Sequence, residues 1–195
     1  MTPRSHPPGS SRRDLDPKAL RIVCYPDPVL RTRAKPIEAV TDRVRAVARR
    51  MIELMHESSG VGLAAPQVGL SWRLFVANPD RQPDQDRAFV NPVLNNLSRD
   101  GLEQEEGCLS IPGVNGQIVR PQAVTIDALD LDGNPFQLTG NELSARVWQH
   151  ETDHLDGVLI IDRMAPIDKM ANRRALQDLE KDYDESESPT AIRNP

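Results

Sequence analysis

Apolar and polar residues alternate along the chain with two different periods, which predicts a mixture of helices and strands. After Thr41, a candidate helix N-cap, apolar residues recur at helical spacing to about Ser58. This segment is predicted to be a scaffold helix. A second helical pattern begins near Asn141, and a third begins at Pro166 and continues through Leu179.

Strands are predicted where apolar residues form short runs or alternate with polar ones. These runs are residues 20–25, 72–78, 88–94, 118–136 and 158–161. The fourth run ends at Asp132-Gly133, so we expect antiparallel strands joined by a hairpin turn there. Residues 60–67 are small and follow the scaffold helix directly, which predicts a loop.

The length of 195 residues predicts a single folded domain. Composition places it at residues 20–183, after a Pro-, Ser- and Arg-rich extension (1–19) that we expect to be disordered and before a frayed tail (184–195). The net charge of −5 argues against direct nucleic-acid binding, which favours a basic surface. No apolar run is long enough to span a bilayer, so we expect no membrane segment.

The two cysteines, Cys24 and Cys108, point to a reduced, cytoplasmic protein, because the first twenty residues lack the apolar region of a secretory signal. Import into an organelle stays open, since residues 1–19 are rich in Arg and Ser. Asp14 and Asp16 count against a transit peptide. Cys24 is expected to be a small buried side chain.

The strongest chemical pattern is H-E-x-x-H at residues 150–154. On a helix, His150 and His154 lie on one face and can direct both imidazoles at one metal ion. Glu151 follows the first of them and can take a proton from a metal-bound water. An apolar stripe around the motif argues against an exposed helix; its members are Leu143, Val147, Trp148, Leu155 and Val158.

A catalytic metal needs a third protein ligand, which has to be a downstream carboxylate or an upstream residue, since no His or Cys follows His154. If Cys108 faces the histidines, the set is one thiolate and two imidazoles with a fourth position for water. The backbone N–H of Leu109 would then point near the metal. The side-chain amide of Gln67, at the edge of the loop of small residues, could donate a hydrogen bond to a developing oxyanion.

Three motifs occur together and in one order: G-V-G-L-A-A-P-Q at 60–67, E-G-C-L-S at 106–110 and Q-H-E-T-D-H at 149–154. In this combination the chain resembles the peptide deformylase family over about residues 20–174. The resemblance implies an α+β fold, with antiparallel β-sheets packed around the helix that carries the metal ligands, a second scaffold helix and a C-terminal helix. It also implies removal of the formyl group from the N-terminal formylmethionine of newly synthesised polypeptides.

The resemblance further implies one divalent metal ion per chain, held by Cys108, His150 and His154. Iron(II) is expected, with zinc, nickel or cobalt as substitutes. Glu151 is then the general base and acid, and Gln67 and the Leu109 N–H stabilise the charge on the formyl oxygen. For the substrate, Val61 and Gly62 would bind the main chain, and Leu143 and Val147 would line a pocket for the methionine side chain, unless both are only core residues.

Two rival functions fit H-E-x-x-H alone. A zinc endopeptidase would use a downstream carboxylate as its third ligand and cleave internal peptide bonds. A structural or metal-sensing domain would close its site with four protein ligands. A transient association with the ribosome through the last helix, with Lys169, Arg173 and Arg174, is a further hypothesis, although such charges are usually a solvated face.

Overall fold

The computed structural model describes residues 16–183, and its architecture is α+β, as predicted. Within these residues there are seven strands: β1 Gly62–Ala64, β2 Leu74–Ala77, β3 Arg87–Asn95, β4 Gly101–Gly107, β5 Asn115–Pro121, β6 Ala123–Leu129 and β7 Pro135–Asn141. The same part of the chain contains five α-helices: α1 Asp42–Glu57, α2 Glu142–Leu155, α3 Ile160–Arg163, α4 Pro166–Ala171 and α5 Arg173–Asp182. Short 3₁₀ turns lie at Pro17–Ala19, Pro28–Arg31 and Ala65–Val68.

The strands form two antiparallel sheets. The larger sheet has the order β1-β2-β3-β6-β7, so β1 and β7 are its edges, and β4 and β5 form the smaller sheet. Helix α2 contacts strands of both sheets, which makes it the central element of the fold. Among residues 16–183 no helix combines the length and the apolar character that crossing a bilayer needs.

Strand β2 is buried on both faces, because a helix covers each of them. Leu74 and Val76 pack in the cluster that contains the apolar side of α1, whereas Phe75 and Ala77 pack with α2 residues such as Trp148. This follows from the two-residue period of a strand, which sends alternate side chains to opposite faces. The two-sided burial fixes α2 against β1 and β2, beside which the site is built.

The scaffold helix begins and ends where the sequence predicts. The Thr41 hydroxyl accepts a hydrogen bond from the Val44 N–H at 3.4 Å, and Ser58 is the C-cap residue. The expected strands at 72–78 and 88–94 correspond to β2 and β3. The run at 118–136 contains most of β5 and all of β6, and the turn before β7 includes Gly133 with a positive φ of 84°.

Some local predictions are wrong. Residues 158–161 do not form a strand, because Ile160 begins helix α3. Leu159 and Ile160 pack into a third cluster of core residues from this helical turn. The last helix is two helices, because the chain breaks at Asn172. The loop of small residues contains strand β1 and a 3₁₀ turn.

Residues 20–25 do not form a strand, and Cys24 in this segment is exposed rather than buried. The backbone N–H groups of Val23 and Tyr25 donate to the carbonyls of Gln67 and Ser110, both at 2.8 Å, which leaves the Cys24 side chain outside. The predicted disorder of 1–15 and fraying of 184–195 lie outside the described residues, while Pro17–Ala19 form a 3₁₀ turn.

Candidate metal centre

Helix α2 places the two histidines of the H-E-x-x-H motif on one buried face. The ring centroids of His150 and His154 are 5.0 Å apart. His154 is 1% exposed and Glu151 is 4% exposed. The helix is amphipathic as the sequence pattern predicts, with Val147, Trp148 and Leu155 among its buried residues. Their burial holds the motif against the rest of the protein.

Cys108 follows directly after strand β4 and meets the histidine pair. Its Sγ lies 3.3 Å from Nε2 of His154. One ligand atom from each of Cys108, His150 and His154 lies within 4.8 Å of the others, and among residues 16–183 these three form the one such group of His, Cys, Asp and Glu side chains. The third potential ligand is therefore upstream, and no downstream carboxylate of the described residues joins the group.

Glu106 connects this group to two buried arginines. Its carboxylate accepts hydrogen bonds from Arg120 at 2.6 and 2.8 Å, from Arg146 at 2.5 Å and from His150 Nδ1 at 3.0 Å. A hydrogen bond at Nδ1 fixes the tautomer and the ring plane of an imidazole and leaves Nε2 as the ligand atom. Asp153 also accepts a hydrogen bond from Arg120, at 2.8 Å, which connects this network to helix α2.

The protonation equilibria of these groups follow from burial and from this network. Burial works against ionisation of Glu106, but hydrogen bonds from His150 and Arg120 outweigh it and lower its pKa to about 2. Burial, together with the charge of His150, holds the pKa of His154 well below its usual value. Burial also lowers the pKa of His150, but hydrogen bonds with Cys108 and Glu106 raise it to about 10, so a metal ion that binds there has to displace a proton.

A cleft of about 390 Å³ opens onto the group, and it is lined by Val61, Gly62, Gln67, Cys108, Leu109, Leu143, Val147, His150 and Glu151, among others. Burial raises the pKa of Glu151 to about 7. Among the described residues, Glu151 Oε2 is buried and has no hydrogen-bond partner. A buried carboxylate oxygen without a donor is costly, and a water in the cleft would satisfy it. The thiol, the imidazoles and this orphaned oxygen fit a hydrolytic metal centre.

Gln67 is fixed at the edge of the cleft. Its Oε1 accepts the Ala64 N–H at 2.8 Å, and its Nε2 donates towards Cys108 Sγ at 3.5 Å and Ser110 Oγ at 3.3 Å. The amide therefore directs its donors at the thiol and at the buried Ser110 hydroxyl.

The residues expected to bind substrate line the same cleft. Val61 directly precedes β1, and Gly62 begins this edge strand of the larger sheet. A Cβ at Gly62 would lie 2.4 Å from Glu151 Oε1, so only glycine lets the backbone pass so close to that carboxylate. Val147 is buried, whereas Leu143 is 45% exposed and is not a core residue.

The sequence patterns did not indicate the roles of Glu106, Arg120 and Arg146. Glu106 stands in a quoted motif, but nothing in its spacing says that it binds a histidine. Arg146 precedes His150 by four residues on α2, so their helical spacing is the signal that places them on one face. No pattern pairs Arg120 with either of them.

Residues 19–170 match the sequence profile of polypeptide deformylase. The chain is 44% identical over 180 residues to peptide deformylase 1B, chloroplastic, of Oryza sativa subsp. japonica, covering 90% of this chain and 67% of that protein. It is 43% identical over 158 residues to peptide deformylase of Pseudomonas aeruginosa, covering 81% and 94%. A crystal structure of peptide deformylase from Plasmodium falciparum is similar with a TM-score of 0.81 and 40% identity, over 86% of this chain and 99% of that one.

A profile match over most of the chain, identities above 40% and a shared fold agree with the three motifs and with the candidate metal centre. Neither an endopeptidase nor a closed structural site is needed to account for them. The chain belongs to the peptide deformylase family, the metalloenzymes that remove the formyl group from newly made polypeptides.

Proposed function

We propose that Cys108, His150 and His154 hold one divalent metal ion, natively iron(II), and that zinc, nickel and cobalt can replace it. A mixed set of thiolate and imidazole donors accepts all of these metals, and the thiolate makes the site sensitive to oxidation when it holds iron. Glu106 orients His150, and the two arginines hold Glu106 ionised. When bound, the ion would act as a Lewis acid that lowers the pKa of the attacking water and polarises the formyl group.

Glu151 is the general base and then the general acid. Its buried position in the cleft and its pKa of about 7 suit a group that takes a proton from the attacking water and later delivers it to the leaving amine. Its unpartnered Oε2 gives it an acceptor for that proton. Gly62 keeps the space beside the carboxylate free of a side chain.

Gln67 and the backbone N–H of Leu109 stabilise the negative charge that develops on the formyl oxygen. The Gln67 amide is already oriented by Ala64, so it needs little rearrangement during the reaction. Losing one such donor typically costs about 3 kcal/mol of the activation free energy.

The substrate main chain binds as an added strand along Val61 and Gly62, because β1 is an edge strand of the larger sheet. Main-chain hydrogen bonds give affinity without demanding one sequence, as an enzyme acting on many nascent chains requires. Leu143 and Val147 line the pocket for the methionine side chain; the exposure of Leu143 supports this reading over a core role.

We also propose a cytoplasmic location, with organellar import as the alternative, and a transient association with the ribosome. Cys24 and Cys108 are both unpaired, as expected in a reducing compartment. Lys169, Arg173 and Arg174 are exposed on α4 and α5, where RNA phosphates could reach them. Co-sedimentation with ribosomes, compared with a variant that carries glutamine at these three positions, tests the association.

The observation that carries the catalytic proposal is the convergence of one thiol and two imidazoles beside a buried, unpartnered carboxylate oxygen in an open cleft. The test is formate release by anaerobically purified protein loaded separately with iron, cobalt, nickel or zinc. We expect release from formyl-Met-Ala-Ser and none from the acetylated peptide. Cleavage of an internal peptide bond, or no formate with any metal, would contradict the proposal.

A further inference from the structure

A second cavity of about 260 Å³ adjoins the catalytic cleft. The two cavities share three lining residues: Ser59, Gly60 and Arg81. Arg81 lies in the β2–β3 connection, residues 78–86, where the sequence shows no recognisable chemical pattern. This connection forms much of the wall of the second cavity. Arg81 therefore stands at the boundary between the catalytic cleft and an adjoining space.

The β2–β3 connection holds Arg81 in a defined position. Asn78, which is 3% exposed, donates to the Gln82 carbonyl at 2.8 Å and to Asp86 Oδ1 at 3.0 Å. Asp86 in turn contacts His56 of α1 at 2.8 Å. Arg81 itself has a φ of +51°, a left-handed conformation that non-glycine residues adopt only where the surroundings enforce it. The surrounding hydrogen bonds enforce it here.

The charge of Arg81 is available to a ligand. Its Nη2 donates to the Ser59 carbonyl at 2.8 Å, which anchors the guanidinium at the rim. No carboxylate of residues 16–183 forms an ion pair with it within 4 Å, in contrast to the buried Arg120 and Arg146, which both pair with Glu106. The other exposed charged side chain that lines the cleft is Glu105, which lies on strand β4. Asp84 and Asp86 line only the second cavity.

The direction of the substrate places a later residue at Arg81. The reacting end lies near Gly62, because that glycine is packed against Glu151. Gly60, which lines both cavities, lies two residues back along the same backbone, and Ser59 directly precedes it. A peptide paired antiparallel to this backbone, with its formylmethionine opposite Gly62, therefore brings its third residue opposite Gly60, next to Ser59, whose carbonyl Arg81 holds.

We propose that Arg81 is a specificity-determining residue that favours an acidic side chain at the third position of the formylated peptide. This inference rests on the proposed function, since it requires the substrate to bind along β1. A glutamate at that position pairs with the guanidinium, whereas a lysine is repelled by it. The pair is exposed, so we expect a difference of about two- to five-fold rather than an absolute requirement.

The test compares kcat/KM for formyl-Met-Ala-Glu, formyl-Met-Ala-Gln and formyl-Met-Ala-Lys amides by formate release. The wild type should prefer Glu over Lys by about two- to five-fold, and 0.5 M salt should bring the ratio towards one, because salt screens exposed charges. Arg81→Gln should abolish the ratio and Arg81→Glu should reverse it. Each ratio is taken within one variant, so a general loss of activity cancels.

Two matched variants complete the design. Arg81→Lys keeps the charge and should keep the preference. Arg99→Gln removes an exposed arginine that lines neither cavity and should leave the ratio unchanged. Equal rates for Glu and Lys peptides in the wild type, or a ratio that Arg99→Gln lowers as much as Arg81→Gln, would overturn the role of Arg81. The absence of formate from all three peptides would instead refute the proposed function.

Discussion

Replacing Glu106 by glutamine tests whether the buried network holds the metal centre together. Glu106 is 6% exposed and accepts four hydrogen bonds, three of them from arginines. Glutamine has one acceptor oxygen and turns an amide N–H₂ towards those donors. Arg146 then loses its carboxylate partner, Arg120 keeps only Asp153, and His150 loses the carboxylate that orients it.

The magnitude can be worked out in two ways. Removing one partner of a buried ion pair costs about 3–5 kcal/mol of stability. Independently, the pKa of Glu106 falls from 4.5 to about 2, which corresponds to roughly 3 kcal/mol of preferential binding of the ionised form. Loss of a hydrogen bond to a metal-ligating histidine typically weakens metal affinity by about 10–100-fold. We therefore expect both effects in Glu106→Gln.

The assay is urea unfolding with a chelator present, together with a metal-competition titration of the folded protein. Glu103→Gln is the matched control, because Glu103 is on the same strand but exposed. The pH dependence has a defined sign, because folding lowers the pKa of the Glu106 carboxyl. Its carboxylate stabilises the fold at pH values above its pKa in the unfolded chain, and this contribution is lost as the pH falls towards its pKa in the folded protein. The stability difference between wild type and Glu106→Gln should therefore shrink from about pH 4.5 towards pH 2. Equal stability and equal metal affinity at pH 7 would refute the reasoning.

Three further substitutions separate metal binding from turnover. Cys108→Ala should lose bound metal on gel filtration while Cys24→Ala retains it, since Cys24 is exposed and outside the ligand group. Metal analysis of both proteins measures this, and a fully loaded Cys108→Ala would contradict the assignment of Cys108 as a ligand. Glu151→Gln should keep the metal and lower kcat by about 10²–10⁴-fold, as expected for loss of a general base; a steady-state rate near that of the wild type would exclude this role. Gly62→Ala should also keep the metal and lower kcat by about 10²-fold, because a Cβ at this position would lie 2.4 Å from Glu151 Oε1 and would displace that carboxylate. An unchanged kcat would show that the close approach is without consequence.

The sequence predicts the parts of the fold and the site that depend on local spacing. A helix puts His150 and His154 on one face whatever surrounds it, and the cap at Thr41 acts within one turn. The alternation in 118–136 predicts strands because one face of the sheet is buried. Cys108 is different: nothing in its own spacing brings it to α2, so the residues alone make it only a conditional third ligand, and the family motif assigns it that role.

What the sequence did not reveal arises where several elements meet. Arg120 and Arg146 look like solvent-facing charges in alternating and helical patterns, and only the contact of β4, β5 and α2 buries them around Glu106. The apolar run at 158–161 has the composition of a strand, but its side chains reach the core from a helical turn. The 20–25 segment bonds to the backbones of Gln67 and Ser110 rather than to a sheet, which composition does not encode.

The most direct test of the central claim is X-ray absorption spectroscopy of the protein loaded with one equivalent of zinc. If Cys108, His150 and His154 hold the ion, the first shell contains one sulfur at about 2.3 Å and two nitrogens at about 2.0–2.1 Å, with one further light atom. Cys108→Ala should lose the sulfur scatterer and Cys24→Ala should keep it. A first shell without sulfur, or one with a fourth side-chain ligand in place of an exchangeable water, would contradict the account.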